Sequence, residues 1–213
     1  MIKVKEFVLG PIQTNCFLLF NDDGQALVID PGGEADPILK FLDQQGLRLD
    51  CILNTHFHID HILGNGELQQ STGVHILASP EDGFLLETDI GSGGPGIGLP
   101  TVGPFDYEPL HPGEKEWLGE RCQIISTPGH SPGGLSFYFP DSNKIFSGDV
   151  LFNRSIGRTD LPGGNTDTLL NTVREKIFTL PEATIVYCGH GPKTTVQDEK
   201  LYNPFFQGKD MFI

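Results

Sequence analysis

The stretch Thr55-His56-Phe57-His58-Ile59-Asp60-His61 decides how this chain is read. It sets three imidazoles and a carboxylate within six positions, more ligand density than one metal ion needs. An apolar, strand-length run, Cys51-Ile52-Leu53-Asn54, leads into it. Three later stretches repeat the form. Cys122-Gln123-Ile124-Ile125 leads to Gly129-His130, Lys144-Ile145-Phe146-Ser147 to Gly148-Asp149, and Ile185-Val186-Tyr187-Cys188 to Gly189-His190. Each is a buried strand, then a small residue, then a metal ligand. If the strands belong to facing sheets, their exits meet at one edge, and ligands held there by the core are preorganised. Glycine directly before His130, Asp149 and His190 lets the backbone turn sharply towards a crowded centre.

His56 and His58 are two apart, so in extended chain they point to the same side and can share one ion. Asp60 and His61 point elsewhere once the chain bends into a helix, which suits a second ion. His130 and His190 can complete the two triads. Asp149 is the natural bridge, because each carboxylate oxygen can hold a different ion. Five of the seven histidines thus stand in ligand positions, while His75 and His111 read as ordinary polar residues. A closed structural zinc site is the non-catalytic alternative, but it favours four ligands, largely Cys, around one ion. A two-metal site with open coordination points to hydrolysis.

Around these stretches lies a chain of 213 residues, expected to form a single domain over 1–213. No apolar run approaches the ~20 residues that cross a bilayer. The start, Met1 to Phe7, has no long apolar segment before a cleavage site, so no signal peptide is expected. Cys16, Cys51, Cys122 and Cys188 form no C-x-x-C pair and read as reduced, packed thiols of a cytoplasmic protein. The formal net charge of −14 repels polyanions, which argues against a nucleic-acid partner and against a nuclease.

Strand-length apolar runs recur from Ile2–Leu9 to Thr184–Tyr187, with turns at Asn21–Gly24 and Asp141–Asn143. Helices are predicted over Asp36–Gln45 with Asp36 as N-cap, over Ile62–Ser71 despite Gly64 and Gly66, and over Thr166–Thr179. The alternation predicts α/β layering with mixed sheets and helices outside. The segment 89–105 is too rich in Gly and Pro for an element interior. It reads as a long loop, either a tolerated insertion or a flap near the site.

The string Thr55 to His61, with Thr127-Pro128-Gly129-His130-Ser131-Pro132-Gly133, Ser147-Gly148-Asp149, Cys188-Gly189-His190-Gly191 and the early Val28-Ile29-Asp30-Pro31-Gly32-Gly33, resembles the metallo-β-lactamase superfamily. The resemblance covers nearly the whole chain. It implies an αβ/βα sandwich: two mixed β-sheets packed face to face, helices outside, metals at one edge. Within the superfamily, Gly148 to Asp160 looks like the glyoxalase II branch, which hydrolyses S-acylglutathione thioesters such as S-lactoylglutathione. By resemblance, His56, His58 and His130 hold one ion, Asp60, His61 and His190 the other, and Asp149 bridges. The longer enzymes of that branch carry a helical C-terminal extension, and this chain, ending at Ile213, is similar to the short bacterial type.

The implied cofactor is two divalent ions, zinc first, with iron or manganese compatible with the same donors. Such ions lower the pKa of bound water from ~15.7 to about 7. The expected substrate is a small glutathione-linked thioester, whose thiolate, with a thiol pKa near ~8.5, leaves without a strong acid. Asp60 is a ligand first and a candidate for proton handling. Asp30 is expected to hold the ligand loop, and Arg158 and Lys193 to meet substrate carboxylates. Rival readings are a persulfide dioxygenase-like enzyme with a single iron and a non-catalytic metal-binding module.

Overall fold

The apolar runs become strands because their alternate residues have two different layers to enter. In the computed structural model, which describes residues 1–207, they form two six-stranded sheets. The first contains β1 (Lys3–Leu9), β2 (Thr14–Phe20), β3 (Gln25–Ile29), β4 (Arg48–Leu53), β5 (His75–Ala78) and β6 (Glu108–Pro109), in that spatial order. Strands β1 to β3 are antiparallel and β3 to β6 parallel. The β2–β3 turn is closed by Asn21, whose side-chain oxygen accepts from the N–H groups of Asp23 and Gln25 at 3.1 and 3.0 Å. The second sheet contains β7 (Gly113–Trp117), β8 (Glu120–Ser126), β9 (Leu135–Phe139), β10 (Lys144–Gly148), β11 (Ile185–Cys188) and β12 (Thr194–Thr195). Its order is β12-β11-β10-β9-β8-β7, and only β10 and β11 pair in parallel.

Strand β2 shows how the layers are sorted. Phe17 and Leu19 enter the core between the sheets with Leu27, Ile29, Phe137, Phe146 and Tyr187. Cys16 and Leu18 point the other way, with Val28 and Ile52, against Ile38 and Leu42 of α1 (Asp36–Gln45). On the far side, Tyr138, Ile145 and Val186 meet Leu169 of α4 (Thr166–Thr172) and Ile177 of the π-turn Val173–Ile177 that continues it. Helix–sheet–sheet–helix layering follows, as expected. Two helices, α2 (Ile59–Ile62) and α3 (Asn65–Thr72), lie between β4 and β5, and α5 (Val196–Tyr202) follows β12.

Local differences from the sequence reading have local causes. Helix α1 starts at Asp36 itself and is preceded by Ala35, without a side-chain cap. The helix expected over Ile62–Ser71 is broken into α2 and α3 at Leu63–Gly64. There the Gly64 N–H donates to the Pro31 carbonyl at 2.7 Å, and a Cβ on Gly64 would sit 2.3 Å from the Gly33 oxygen. The segment 89–105 is not structureless: a helical turn, Asp89–Ser92, leads into a ribbon pairing Gly93–Gly94 with Leu99–Thr101.

All four cysteines are buried and free, as expected. Burial pushes the Cys51 thiol up to about 12, so it is inert at neutral pH.

The inter-sheet core is joined by aromatic contact. Phe146 stacks on Tyr187 (4.8 Å between centroids, 18° between planes), and Phe17 lies 5.3 Å from each. Phe146→Ala is expected to cost about 3–5 kcal/mol in urea unfolding. A loss below about 1 kcal/mol would show that the sheets do not depend on this cluster.

Candidate metal centre

The four strand exits meet as the sequence pattern required. His56 to His61 leave β4 of the first sheet, whereas His130, Asp149 and His190 follow β8, β10 and β11 of the second. Of the three preceding glycines, Gly129 and Gly148 have positive φ, 131° and 52°. Gly189 serves by lacking a side chain: a Cβ there would lie 2.1 Å from Asp149 Oδ1.

Two groups of three side chains converge. His56 Nε2 is 3.1 Å from His58 Nδ1 and 3.2 Å from His130 Nε2. A tetrahedral site with metal–nitrogen bonds of ~2.0–2.1 Å has ligand–ligand edges of roughly 3.3–3.4 Å, so these spacings fit an ion. In the second group, His190 Nε2 is 3.0 Å and His61 Nε2 3.5 Å from Asp60 Oδ2. Asp149 lies between the groups. Its Oδ1 faces His61 Nε2 at 3.3 Å, and its Oδ2 is 3.6 Å from His130 Nε2 and 3.5 Å from His190 Nε2. Of the five buried side-chain polar atoms without a hydrogen-bond partner among the described residues, His61 Nε2 and Asp149 Oδ1 face each other here. Donor atoms packed together and left unpaired fit a cation.

The outer nitrogens set the tautomers. The Arg158 carbonyl accepts from His130 Nδ1 at 2.7 Å, leaving Nε2 for the centre. Thr55 Oγ1 donates to Asp30 Oδ2 at 2.6 Å and accepts from His56 Nδ1 at 3.0 Å. Asp30 also accepts from the Thr55 N–H (2.8 Å) and from His61 Nδ1 (2.9 Å). It therefore holds the ligand loop, as expected, from a backbone at φ 51° that a non-glycine residue seldom adopts. Thr14 Oγ1 donates to Asp60 Oδ2 at 2.8 Å.

Charge is divided unevenly over the cluster. Burial, with repulsion among the imidazoles, lowers His56 and takes His58 down to about 3. Burial also acts to lower His61, but Asp149, Asp60 and Asp30 overcome it and hold His61 well above its ordinary value. Burial works to raise Asp60 and Asp149, yet His61 and its neighbours keep both below the ordinary carboxylate value.

Not every expected site residue joins the cluster. Arg158 lines the adjacent cavity, of about 510 Å³, but its guanidinium is held by Asp160 in two bonds of 2.8 Å. Lys193 does not line that cavity; its Nζ lies 5.6 Å over the Tyr187 ring.

One important residue escaped sequence reasoning. Asp82, in the 3₁₀ turn Pro80–Glu87, is 1% exposed. It accepts from Ser131 Oγ at 2.7 Å, from the Gly133 N–H at 2.6 Å and from the Phe57 N–H. One carboxylate thus clasps the loop carrying His56 and His58 to the loop carrying His130. Nothing in its local sequence marks it.

The model of the metallo-beta-lactamase superfamily matches residues 9–190, which span the whole cluster. The chain belongs to that superfamily. It is 41% identical over 97% of its length, and 99% of the relative's, to a probable metallo-hydrolase, YqgX, of Bacillus subtilis. It is 38% identical to the hydroxyacylglutathione hydrolase GloC of Haemophilus influenzae, over 92% of this chain and 94% of that one. Among solved structures it superposes on the BLEG-1 B3 metallo-beta-lactamase with a TM-score of 0.89, at 39% identity, over 97% of this chain and all of that one. It superposes on TTHA1623 in a di-iron-bound form with a TM-score of 0.85, at 35% identity, over 95% of this chain and all of that one. The protein is thus a metal-dependent enzyme of the metallo-hydrolase type, its His/Asp cluster suited to divalent ions.

Two outcomes follow for the cluster. Asp82→Ala should weaken metal binding about 10–100-fold in competition with a chelator, and unchanged affinity would remove its clasping role. Because Asp149, Asp60 and Asp30 hold His61 above its ordinary value, its protonated form is favoured in the metal-free protein, and a cation taking Nε2 competes with that proton. Adding Zn²⁺ in weak buffer at pH 7 should release at least about one proton per chain, and affinity should fall as pH drops. Loading without proton release would contradict this.

Proposed function

We propose that the protein, acting as a single domain over residues 1–213, hydrolyses small-molecule thioesters with two divalent ions. S-lactoylglutathione is its first assay substrate, a choice supported by likeness to GloC. The observation that carries this reading is the pair of three-donor groups with Asp149 between them, open to a cavity of about 510 Å³. His56, His58 and His130 would hold one ion, and Asp60, His61 and His190 the other, with Asp149 shared. When bound, such ions supply a water deprotonated near neutral pH and a Lewis acid for the carbonyl oxygen.

The residues around the cavity support a thioester over an amide. Its titratable lining side chains are His58, Asp60, His130, Asp149, His190 and Arg158. All but Arg158 are assigned as ligands, and Asp60, held ionised by His61 and His190, is poor as a proton donor. An amine leaving group needs a proton, whereas a thiolate with a thiol pKa near ~8.5 does not. Thr55, Asp30 and the Arg158 carbonyl keep the imidazoles turned inward. Arg158 is the candidate for a substrate carboxylate, which would have to compete with Asp160. A single-iron oxygenase would engage two His and one carboxylate of these seven donors, whereas two ions would engage all seven, which supports the hydrolase reading.

Zinc suits these donors, and so does iron, as the di-iron neighbour illustrates for its own chain. Reduced buried thiols support a cytoplasmic setting. A net charge of −14 supports a small substrate rather than nucleic acid. No helix among the described residues is long and apolar enough to cross a membrane.

His58→Ala should lower kcat/KM for S-lactoylglutathione by more than about 100-fold and reduce bound metal below that of the unaltered protein. Ordinary turnover by that variant would end the assignment.

A further inference from the structure

The cavity beside the cluster has two unlike walls. One is wholly aliphatic: Ile12, Ile59, Ile90, Ile97 and Leu99. The other is mixed: Phe152, Ile156 and Leu161 stand there with Ser155 and Arg158, the only Lys or Arg among the described lining residues. Ile12 and Ile97 are 42% and 37% exposed, so apolar surface lies open beside the charged centre.

The aliphatic wall is built rather than incidental. Most of it comes from the Gly/Pro-rich segment 89–101. The Val102 N–H donates to the Ser92 carbonyl at 2.9 Å, and the Ser92 N–H and hydroxyl both bond to the Thr88 carbonyl at 2.8 Å. At Gly93 the ribbon presses onto Ile59, since a Cβ there would lie 2.2 Å from Ile59 Cδ1. Ile59 stands between His58 and Asp60, so the ribbon is seated on the ligand string itself.

We infer that this wall is an acyl subsite and that the substrates are thioesters with an apolar acyl chain, the polar thiol carrier lying on the Arg158 side. The inference rests on the thioester reading above and deepens it. Glutathione carries two carboxylates, yet the cavity offers one cation among the described residues, and Asp160 already occupies it in two bonds. The carrier therefore contributes little selectivity. An alkyl chain, in contrast, finds five aliphatic side chains, and burial there favours it by about fourfold per methylene.

The test uses the full chain loaded with Zn²⁺ and N-acetylcysteamine thioesters from acetyl to hexanoyl, alongside S-lactoylglutathione. Expected is a rise in kcat/KM of roughly 50-fold or more across the series. Leu99→Asn and Ile97→Ser should flatten that rise. A flat or falling series would overturn the subsite, while turnover of S-lactoylglutathione in the same experiment would leave the thioesterase reading standing. Calorimetry with S-methyl and S-hexyl N-acetylcysteamine thioethers gives a second readout. Tighter binding of the hexyl compound, lost in Leu99→Asn, supports the subsite even if no thioester is hydrolysed, an outcome that would sink the hydrolase alone. Equal binding of the two thioethers would overturn the subsite.

Discussion

Imidazoles and carboxylates have been taken out of water and pressed together with their polar atoms facing one another. The rest of the structure answers this constraint. His56, His58 and His61 are each no more than 3% exposed. Without a cation, their inward nitrogens can be satisfied only by shared protons or one another, and buried polar atoms left in that state are costly. The surrounding bonds serve to stop the cluster from relaxing. Asp30 and Thr55 lock His56 and His61, the Arg158 carbonyl turns His130, Thr14 holds Asp60, and Asp82 ties two loops. Each removes a rotation by which a ligand could swing out to water.

Neither sheet carries the centre alone. His56 to His61 belong to the first and His130, Asp149 and His190 to the second, so the packing of Phe17 on Phe146 and Tyr187 also sets the spacing of the ligands. Stability and chemistry are coupled through the same aromatic layer. The cavity that opens from the cluster is walled by the segment 89–101 on one side and by Phe152, Ile156 and Arg158 on the other.

Much of this was legible in the chain. Buried strands are marked by apolar runs, and the ligands follow them within a few residues, so strand exits and the layered fold could be read directly. What could not be read depends on contacts distant in sequence. Asp82 meets Ser131 and Gly133 across 49 and 51 residues. Strand β7 is a charged edge with four of its five residues exposed, so it lacks the alternation that marks a half-buried strand. The ribbon within 89–101 is held by backbone bonds and glycine packing, which leave no hydrophobic period. Lys193 is expected from the sequence to meet a substrate carboxylate, but its side chain turns over Tyr187.

In the function we propose, the cluster holds two ions and thioester hydrolysis needs both. The most direct measurement is a metal titration of chelator-stripped protein, with bound metal and S-lactoylglutathione hydrolysis read on the same samples. Activity should be absent without metal and level off at about two equivalents per chain. Full activity at one equivalent, or activity in the stripped protein, would contradict it.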